Sequence, residues 1–278
     1  MVIVNITGQL GNQMFQYAIG RKNQILGHHV KYDLSDYVEH PNYWALDRFG
    51  ISLPKATYKE ILRLKDEYSS IPDRIHRKLF ERHPRVVSEI NRKEYFYDTE
   101  VFAHRNVYVD GYWQSEKYFL DIEDIIRKDF TFPISDNSQN MELITELKGC
   151  TSISIHVRRG DYLGGFPVMG MEYYTPAMQH FRERYKDVRF YIFSNDLDWC
   201  RTNIIGEDVS YVDWNTGRDS IFDMYLMSQC KHNIIANSSF SWWGAWLNQN
   251  VGQEVIAPKL WFYDTKTPEV YCDEWIKM

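Results

Sequence analysis

The start of the chain combines short apolar runs with a helical stripe of apolar positions. Val2–Ile6, which is apolar except for Asn5, has the length and composition that are typical of a buried strand. After a glycine-containing turn, apolar residues recur at helical spacing from Phe15 to Leu26, and Gly27 then suits a helix C-cap. Val30–Asp33 is predicted to be a second strand. The chain therefore opens with a β-α-β unit.

The pattern in the middle of the chain is less regular. Segment 55–98 is rich in Arg, Lys and Glu, and it predicts helices on the protein surface. Val107, Val109 and Tyr112 predict a further strand, and residues 116–129 predict a further helix. We find no internal repeat and no low-complexity linker in the sequence.

From about residue 150 onward, strands and helices alternate regularly. The strand patterns are Ser152–Val157, Arg189–Phe193, Val209–Trp214, Asn233–Ala236 and Glu254–Ala257. The helix patterns between them cover residues 172–186, 197–202, 220–230 and 241–248. Such alternation implies a parallel sheet that is covered by helices on both faces. Ligands of these sheets bind beyond the carboxyl ends of the strands, so the residues that follow each strand are the candidates for function.

Two arginines and an aspartate follow the strand pattern Ser152–Val157. A planar guanidinium at a strand end, such as that of Arg158 or Arg159, matches a phosphate group with two parallel hydrogen bonds. A hydrogen bond to a charged group contributes about 1.5–3 kcal/mol. Such an arginine suits a diphosphate leaving group, on which charge develops during reaction. For one of the two arginines, the alternative is a structural ion pair with Asp161.

Polar residues also follow other strands of the pattern. Ser194-Asn195-Asp196 follows one strand, and Asn237-Ser238-Ser239-Phe240 follows another and leads into a helix. Small hydroxyl residues at a helix start are good caps, and the same geometry binds phosphate. The turn Gly8–Gln13 after the first strand could also approach an anion, although a plain tight turn explains it as well. Together the polar strand ends point to one shared cleft.

Asp196 and Asp198 formally match the Asp-x-Asp pattern of metal-dependent enzymes that use sugar nucleotides. We interpret Asp198 as part of a helix start, where carboxylates interact favourably with the helix dipole, and prefer this to a manganese site. Two arginines can replace a metal ion electrostatically, so no metal site is predicted. In the aromatic run that follows, Trp242 and Trp246 share one helix face and are predicted to be buried, whereas Trp243 points elsewhere and is a candidate ligand contact.

The composition supports a large core and narrows the classes of partner. The chain has 278 residues, of which 44% are hydrophobic and 16% aromatic, enough for one large domain or two modest ones. The net charge of −6 argues against nucleic acid as a partner but allows a local basic site for a small anion. Cys150, Cys200, Cys230 and Cys272 are widely spaced and form no Cys-x-x-Cys motif, so we expect buried thiols.

The sequence contains no uninterrupted apolar stretch of about 18 residues, the length that a membrane span requires. The opening apolar run is too short for a signal peptide and has no basic start. We therefore expect a cytoplasmic protein, either in solution or peripheral at a membrane.

Four motifs resemble a known family. They are Gly8–Tyr17 (GQLGNQMFQY), His156–Tyr162 (HVRRGDY), Phe193–Asp196 (FSND) and Asn237–Trp246 (NSSFSWWGAW). In this order they resemble the bacterial α-1,2-fucosyltransferases of glycosyltransferase family 11. The similarity runs from the first strand to near the end of the chain, and it is weakest over residues 35–105.

This resemblance implies an α/β fold of the GT-B type, with two facing Rossmann-like domains that each contain a parallel sheet. We expect residues 1–148 to form the acceptor-side domain and residues 149–278 to form the domain that binds GDP-fucose. The implied reaction is an inverting transfer of L-fucose from GDP-β-L-fucose to the 2-hydroxyl of a terminal β-galactoside. The resemblance implies no metal and no cofactor besides the donor substrate.

The resemblance also implies roles for individual residues. The residues of the donor site would be His156, Arg158, Asn195, Asp196, Asp223, Asn237, Ser238, Ser239 and Phe240. Among them, Arg158 would bind the β-phosphate and His156 would help to position the donor. Asp223 would accept hydrogen bonds from N1 and N2 of guanine, a donor pair that adenine lacks. Asn12 would reach towards the donor or the acceptor. The best candidate for the general base is Asp161, whose alternative role is to orient an arginine.

Three alternatives to this reaction stay open. The first is a fucosyltransferase of another linkage, because α-1,6- and protein O-fucosyltransferases share the arginine motif. The second is a transferase of another nucleotide sugar, and the third is a non-catalytic glycan-binding protein. Family members commonly build bacterial surface polysaccharides, so we expect the same context and, if a membrane is involved, the inner membrane.

Overall fold

The computed structural model describes residues 1–65, 67, 70–80, 85–89, 96–263 and 269–278. The chain divides into two compact units, Met1–Thr131 and Phe132–Met278. The sequence predicted two domains but placed the boundary between residues 148 and 149. The difference arises because the helix Ser138–Gly149 packs in the second unit, where Leu143 lies in one hydrophobic cluster with Tyr191.

The first unit contains a four-stranded parallel sheet. Its strands are β1 (Val2–Asn5), β2 (Val30–Asp33), β3 (Val86–Ser88) and β4 (Val107–Asp110), in the order β2-β1-β4-β3. Its α-helices are α1 (Leu10–Ile25), α2 (Asp36–Glu39), α3 (Tyr58–Lys65), α4 (Ile71–Phe80), α5 (Glu100–Ala103) and α6 (Glu123–Asp129). The predicted β-α-β opening is confirmed.

The irregular part of the first unit matches the sequence pattern only in part. Segment 55–98 contains α3 and α4 as predicted, but also β3, which is too short to produce a clear pattern; residues 81–84 and 90–95 lie outside the described part. The helix predicted over 116–129 is broken into two short 3₁₀ helices, Glu116–Tyr118 and Leu120–Ile122, before α6 begins.

The second unit contains a six-stranded sheet, also parallel. Its strands are β5 (Thr151–Val157), β6 (Val188–Ser194), β7 (Val209–Val212), β8 (His232–Ile234), β9 (Val255–Ala257) and β10 (Ile276–Lys277), in the order β10-β9-β8-β5-β6-β7. Its α-helices are α7 (Ser138–Gly149), α8 (Met171–Arg184), α9 (Leu197–Asn203), α10 (Ile221–Gln229) and α11 (Ser239–Trp246). The predicted alternation is confirmed, and α7 and β10 are additions to it.

Alternate residues of the central strands pack on opposite faces of this sheet. Ile153 and Ile155 of β5 lie in a cluster with Phe181 of α8. Tyr191 of β6 lies in a second cluster, with Leu147 of α7 and residues of α10. Helices thus cover both faces, as the period of two along each strand requires. The predicted α/β class, with a Rossmann-like parallel sheet in each of two domains as in the GT-B type, is confirmed.

The tryptophans of α11 correct one prediction. Trp242 and Trp246 stack with an interplanar angle of 13°, as expected for residues on one helix face. Trp243 is fully buried, and its ring packs edge-on against both of these tryptophans. Trp243 is therefore part of the core rather than a ligand contact, because residues 241–246 of α11 are buried on every side of the helix.

Two further predictions concern the thiols and the helices. The four cysteines are thiols, and all four are buried, as predicted. Within the part of the chain that the structure describes, no helix is long and apolar enough to cross a membrane.

Candidate active site

The strand order of the second unit reverses beside β5. From β5 the chain proceeds to β6 and β7 on one side, and it then returns to β8, which pairs with the other edge of β5. A crevice forms at the carboxyl ends of strands where the order reverses, and ligands of open parallel sheets bind there. The residues that follow β5 and β8 therefore lie at the position where this fold binds ligands.

Arg158 and Asp161, which follow β5, are joined to the residue that follows β6. Arg158 Nη2 donates to Asp161 Oδ2 at 2.6 Å. Asn195 Nδ2 donates to Asp161 Oδ1 at 2.9 Å, and Asn195 Oδ1 accepts from the Arg159 backbone N–H at 3.0 Å. A Cβ at Gly160 would lie 2.9 Å from Asn195 Nδ2, so glycine allows this close approach. Both carboxylate oxygens of Asp161 are thus engaged.

Arg159 has a different set of partners from Arg158. Its Nε lies 3.4 Å from Asp196 Oδ2, and its guanidinium lies 4.2 Å from the centre of the Trp199 ring. Asp196 also accepts from the Trp199 backbone N–H at 3.2 Å and so caps α9, while Asp198 lies in the first turn of that helix. The Asp-x-Asp pattern therefore coincides with a helix start, as predicted for Asp198. It is Arg158, rather than Arg159, that pairs with Asp161.

Tyr162 links the residues after β5 to those after β8. The Arg158 guanidinium lies 5.5 Å from the centre of the Tyr162 ring. The Tyr162 hydroxyl donates to the Asn237 backbone carbonyl at 3.2 Å, and it also hydrogen-bonds with the Ser238 side chain. Ser238 occupies the N-cap position of α11, yet its side chain makes no capping hydrogen bond. Helix capping therefore does not account for the hydroxyl group of Ser238.

His156 points from β5 towards the start of α11. It is buried, and its ring centre lies 5.7 Å from that of Phe240. Burial, and next the charge of Arg158, lower the pKa of His156 to about 3, so the imidazole is neutral at physiological pH. Its Nδ1 is buried and accepts or donates no hydrogen bond within the described residues, and the same is true of Asn237 Oδ1. Orphaned buried polar atoms of this kind are rare in folded proteins.

Asp223 lies in a separate hydrogen-bond network, in the first turn of α10. Asn215 Nδ2 donates to Asp223 Oδ1 at 2.9 Å and to Asn140 Oδ1 at 2.9 Å. Burial raises the pKa of Asp223 to about 7, while the hydrogen bond from Asn215 acts in the opposite direction. No hydrogen bond of the described residues joins Asp223 to the Arg158 group, so the donor-site residues predicted from the sequence fall into two clusters.

Asn12 belongs to the first unit. Its Oδ1 accepts from Gln114 Nε2 at 2.9 Å, which ties the first turn of α1 to the residues after β4. Gly8 has a φ of +76°, and Gln13 Nε2 donates to its carbonyl at 2.9 Å. These hydrogen bonds fix the turn between β1 and α1, and Asn12 lies at the carboxyl end of the first sheet.

Three residues of these clusters were not among the predicted site residues. Tyr162 stands within the arginine motif but carried no assigned role. Asn215 follows β7, and Asn140 belongs to α7, a helix that the sequence pattern did not predict. The one sequence feature that could have indicated Asn215 is its position three residues after the end of β7. No group of three or more His, Cys, Asp or Glu side chains that could hold a metal was found among the described residues, and this leaves the predicted metal independence untested.

Comparison with known proteins decides the family. The model of the family described as Glycosyl transferase family 11 matches residues 1–278. The chain belongs to glycosyltransferase family 11. The resemblance that the four motifs indicated is thereby confirmed, and this member of family 11 is a glycosyltransferase.

Three known relatives are similar to this family 11 glycosyltransferase. The α-1,2-colitosyltransferase of Escherichia coli is 33% identical over 279 residues, which cover 94% of this chain and 92% of that protein. The O-antigen biosynthesis glycosyltransferase WbnK of Escherichia coli is 28% identical over 299 residues, or 98% and 99% of the two chains. The galactoside α-(1,2)-fucosyltransferase 1 of Rattus norvegicus is 31% identical over 154 residues, or 50% of this chain and 41% of that protein.

Proposed function

We propose that this family 11 glycosyltransferase transfers L-fucose from GDP-β-L-fucose to the 2-hydroxyl of a terminal β-galactoside, with inversion, to give an α-1,2 linkage. The single observation that carries the proposal is the placement of Arg158 at the carboxyl end of β5, joined through Tyr162 to Ser238 at the start of α11. The name of the rat relative, a galactoside α-(1,2)-fucosyltransferase, supports the sugar and the linkage.

The diphosphate of the donor fits the residues after β5 and β8. The guanidinium of Arg158 offers a fork of donors to the β-phosphate, and the backbone N–H groups at the start of α11 add further donors. His156 Nδ1 and Asn237 Oδ1 are buried without hydrogen-bond partners among the described residues, which favours a polar ligand beside them. Ser239 and Phe240, in the first turn of α11, would complete the phosphate site.

The guanine base fits Asp223. One of its oxygens is engaged by Asn215, and the other can accept from guanine. An ionised carboxylate accepts hydrogen bonds from N1–H and the 2-amino group of guanine together, and adenine presents no such pair. Asn195 holds Arg158 through Asp161, and Asp196 pairs directly with Arg159, so we assign both residues to the positioning of the donor site.

In the proposed reaction, the 2-hydroxyl oxygen of galactose attacks the anomeric carbon of fucose on the face opposite the departing GDP. The bond from that carbon to the β-phosphate oxygen breaks, and Arg158 stabilises the charge that develops there. A general base takes the hydroxyl proton, for about 10²–10⁴-fold acceleration. Asp161 is the candidate, but the engagement of both its oxygens supports its alternative role of orienting Arg158. Asn12 would act on the donor or the acceptor.

A second candidate function is transfer of colitose, which is L-fucose without its 3-hydroxyl group. The Escherichia coli relative that is 33% identical over 94% of this chain is an α-1,2-colitosyltransferase, and this observation favours the candidate. A GDP-linked colitose donor would differ from GDP-fucose at only one sugar carbon. The residues assigned above to the diphosphate and the base would therefore serve either donor.

One experiment tests the proposal. The protein is incubated with GDP-fucose, GDP-colitose or another nucleotide sugar and with a panel of β-galactosides, with and without EDTA, and the product linkage is determined by NMR. We expect an α-1,2 product with GDP-fucose that EDTA does not prevent. A preference for GDP-colitose would establish the second candidate, and glycan binding without release of GDP would indicate a binding protein. Loss of activity in EDTA with recovery in Mn²⁺ would overturn metal independence.

The biological setting is also part of the proposal. A relative that acts in O-antigen biosynthesis supports a role in a bacterial surface polysaccharide. Such a role is consistent with a cytoplasmic enzyme that works in solution or at the inner membrane, and cell fractionation of the native host would test the location.

A further inference from the structure

Two buried asparagines form a reciprocal amide pair behind Asp223. Asn140 Nδ2 donates to Asn215 Oδ1 at 3.0 Å, and Asn215 Nδ2 donates to Asn140 Oδ1 at 2.9 Å. Asn140 is fully buried, and Asn215 is 9% exposed. The second N–H of Asn215 Nδ2 donates to Asp223 Oδ1 at 2.9 Å. A buried polar network in which each member has its partners specifies a single arrangement.

The orientation of this pair is determined by Trp214. The indole Nε1 of Trp214 donates to Asn140 Oδ1 at 2.7 Å, and an indole nitrogen can only donate. The oxygen of the Asn140 amide must therefore face Trp214, and its nitrogen must face Ser135 Oγ, to which it donates at 2.9 Å, and Asn215 Oδ1. This in turn directs the nitrogen of Asn215, rather than its oxygen, at Asp223.

The consequence for Asp223 is an asymmetric carboxylate. Oδ1 receives a hydrogen bond from a neutral amide, and Oδ2 receives none from the described residues. A neutral donor orients the carboxylate without neutralising it, whereas an arginine or lysine would form an ion pair there. The carboxylate therefore retains the capacity to accept strong hydrogen bonds from a ligand with adjacent N–H groups.

We propose that Asn215, itself held by Asn140 and Trp214, is a positioning residue that orients the Asp223 carboxylate for the N1–H and 2-amino groups of guanine. This inference deepens the proposed function and rests on it, because it assumes that GDP is the nucleotide bound. Asn215 and Asn140 act through Asp223 and touch no reacting atom. They would set nucleotide specificity rather than the rate of sugar transfer.

The test measures how well the protein distinguishes GDP from IDP, whose base lacks the 2-amino group. Dissociation constants for both nucleotides are measured by calorimetry at pH 8. In the wild type we expect tighter binding of GDP. In Asn215→Leu we expect the GDP/IDP ratio to approach one and GDP affinity to fall about 10- to 100-fold, the range for a hydrogen bond to a charged group. IDP affinity should fall less, because IDP has only its N1–H contact with Asp223 to lose, whereas GDP also loses the contact of its 2-amino group.

Two further variants keep the test decisive. Trp214→Phe keeps an aromatic ring but removes the indole N–H that orients Asn140, together with part of the packing surface of Trp214. It should lower the GDP/IDP ratio by a smaller factor, and it serves as the test if Asn215→Leu does not fold. The matched control is Asn248→Leu, which removes a buried asparagine whose Nδ2 donates to the Cys230 carbonyl at 2.6 Å. This control should lower thermal stability and leave the nucleotide ratio unchanged.

The outcomes separate this inference from the proposed function. Suppose that the wild type prefers GDP and that Asp223→Asn loses this preference. If the folded Asn215 and Trp214 variants nevertheless retain it, the inference is wrong, while the role of Asp223 in binding guanine stands. If the wild type does not bind GDP, or Asp223→Asn keeps the full preference, the role proposed for Asp223 fails and the inference fails with it.

Discussion

Arg158 and Asp161 form an ion pair in which Arg158 Nη2 lies 2.6 Å from Asp161 Oδ2. The aspartate is half exposed, whereas the side chain of the arginine is 17% exposed. Asp161 is therefore the outer member of the pair, anchored on its other oxygen by Asn195. The pair thus fixes the orientation of the Arg158 guanidinium through its Nη2 atom.

Replacing Arg158 by lysine should remove most of the turnover. Lysine keeps the positive charge but cannot hold Asp161 and a phosphate with one planar fork. Loss of a charge-assisted hydrogen bond of about 1.5–3 kcal/mol corresponds to a fall in kcat/KM of about 10- to 100-fold. The measurement is steady-state release of GDP at saturating acceptor. Near-normal activity of Arg158→Lys would show that no bidentate phosphate contact is made.

The matched control for this variant is Arg182→Lys. Arg182 binds Asp208 through both Nε and Nη2, at 2.8 and 3.0 Å, so it also uses its fork. It lies near the end of α8, away from the strand ends that carry the site. Arg182→Lys should change stability slightly and leave kcat/KM within about twofold, since exposed ion pairs contribute little.

The role of Asp161 is separable by a double-mutant cycle. If Asp161 orients Arg158, Asp161→Asn should lower kcat/KM about tenfold, and it should have little further effect in the Arg158→Lys background, where there is no fork to orient. If Asp161 is the general base, Asp161→Asn should lower kcat/KM about 10²–10⁴-fold. The double variant should then show the product of the two single effects. We expect the first result. Strict multiplication of the two effects would assign Asp161 as the base.

The pKa of Asp223, about 7 because of burial, predicts pH-dependent binding of GDP. Guanine requires the ionised carboxylate, so GDP affinity should fall about tenfold as the pH decreases from 8 to 6. The phosphates of GDP also titrate near pH 6, and they do so equally with Asp223→Asn. Calorimetric titrations should therefore show that the GDP affinities of the wild type and of Asp223→Asn differ by an amount that changes with pH. Affinities that change in parallel with pH would contradict the prediction.

The same pKa has the opposite effect on the stability of the protein without ligand. The pKa of Asp223 is raised from 3.8, so between about pH 4 and 7 the folded chain binds the proton more tightly than the unfolded chain does. This contribution to stability is lost as the pH rises through 7. Thermal unfolding should therefore show Asp223→Asn gaining stability relative to the wild type as the pH rises from 5 to 8.

A substitution at Gly8 tests the role proposed for Asn12. A Cβ at Gly8 would lie 2.8 Å from Asn12 Nδ2, and the φ of +76° strains any other residue. Gly8→Ala should destabilise the protein by about 1–2 kcal/mol in urea unfolding and also lower activity, because Asn12 must shift.

Gly27→Ala is the control for this strain. Gly27 has a φ of +81°, and nothing lies within 4 Å of its Cβ position. The backbone strain is therefore the same, and the clash is absent. Equal loss of activity in both variants would show that the position of Asn12 does not matter.

The sequence by itself determined the elements of the second unit and the segments that carry the site. Apolar spacing is a local property, so the strands from β5 to β9 could be placed within a few residues, and with them Arg158, Asn195 and Ser238 at strand ends. Where elements were short, as in β3 and β10, the local signal was too weak. The family motifs are also local, and the match over the whole chain confirmed them.

Only the tertiary structure decided which side chains meet. Helical spacing alone made Trp243 a candidate ligand contact, but the packing around α11 buries it. Asn140 and Asn215 are 75 positions apart, and no pattern in the sequence joins them to Asp223. The pairing of Asp161 with Arg158 and Asn195 was likewise one of several possibilities. Hydrogen bonds between distant residues depend on how the helices dock on the sheet, and that docking is a property of the whole fold rather than of any one segment.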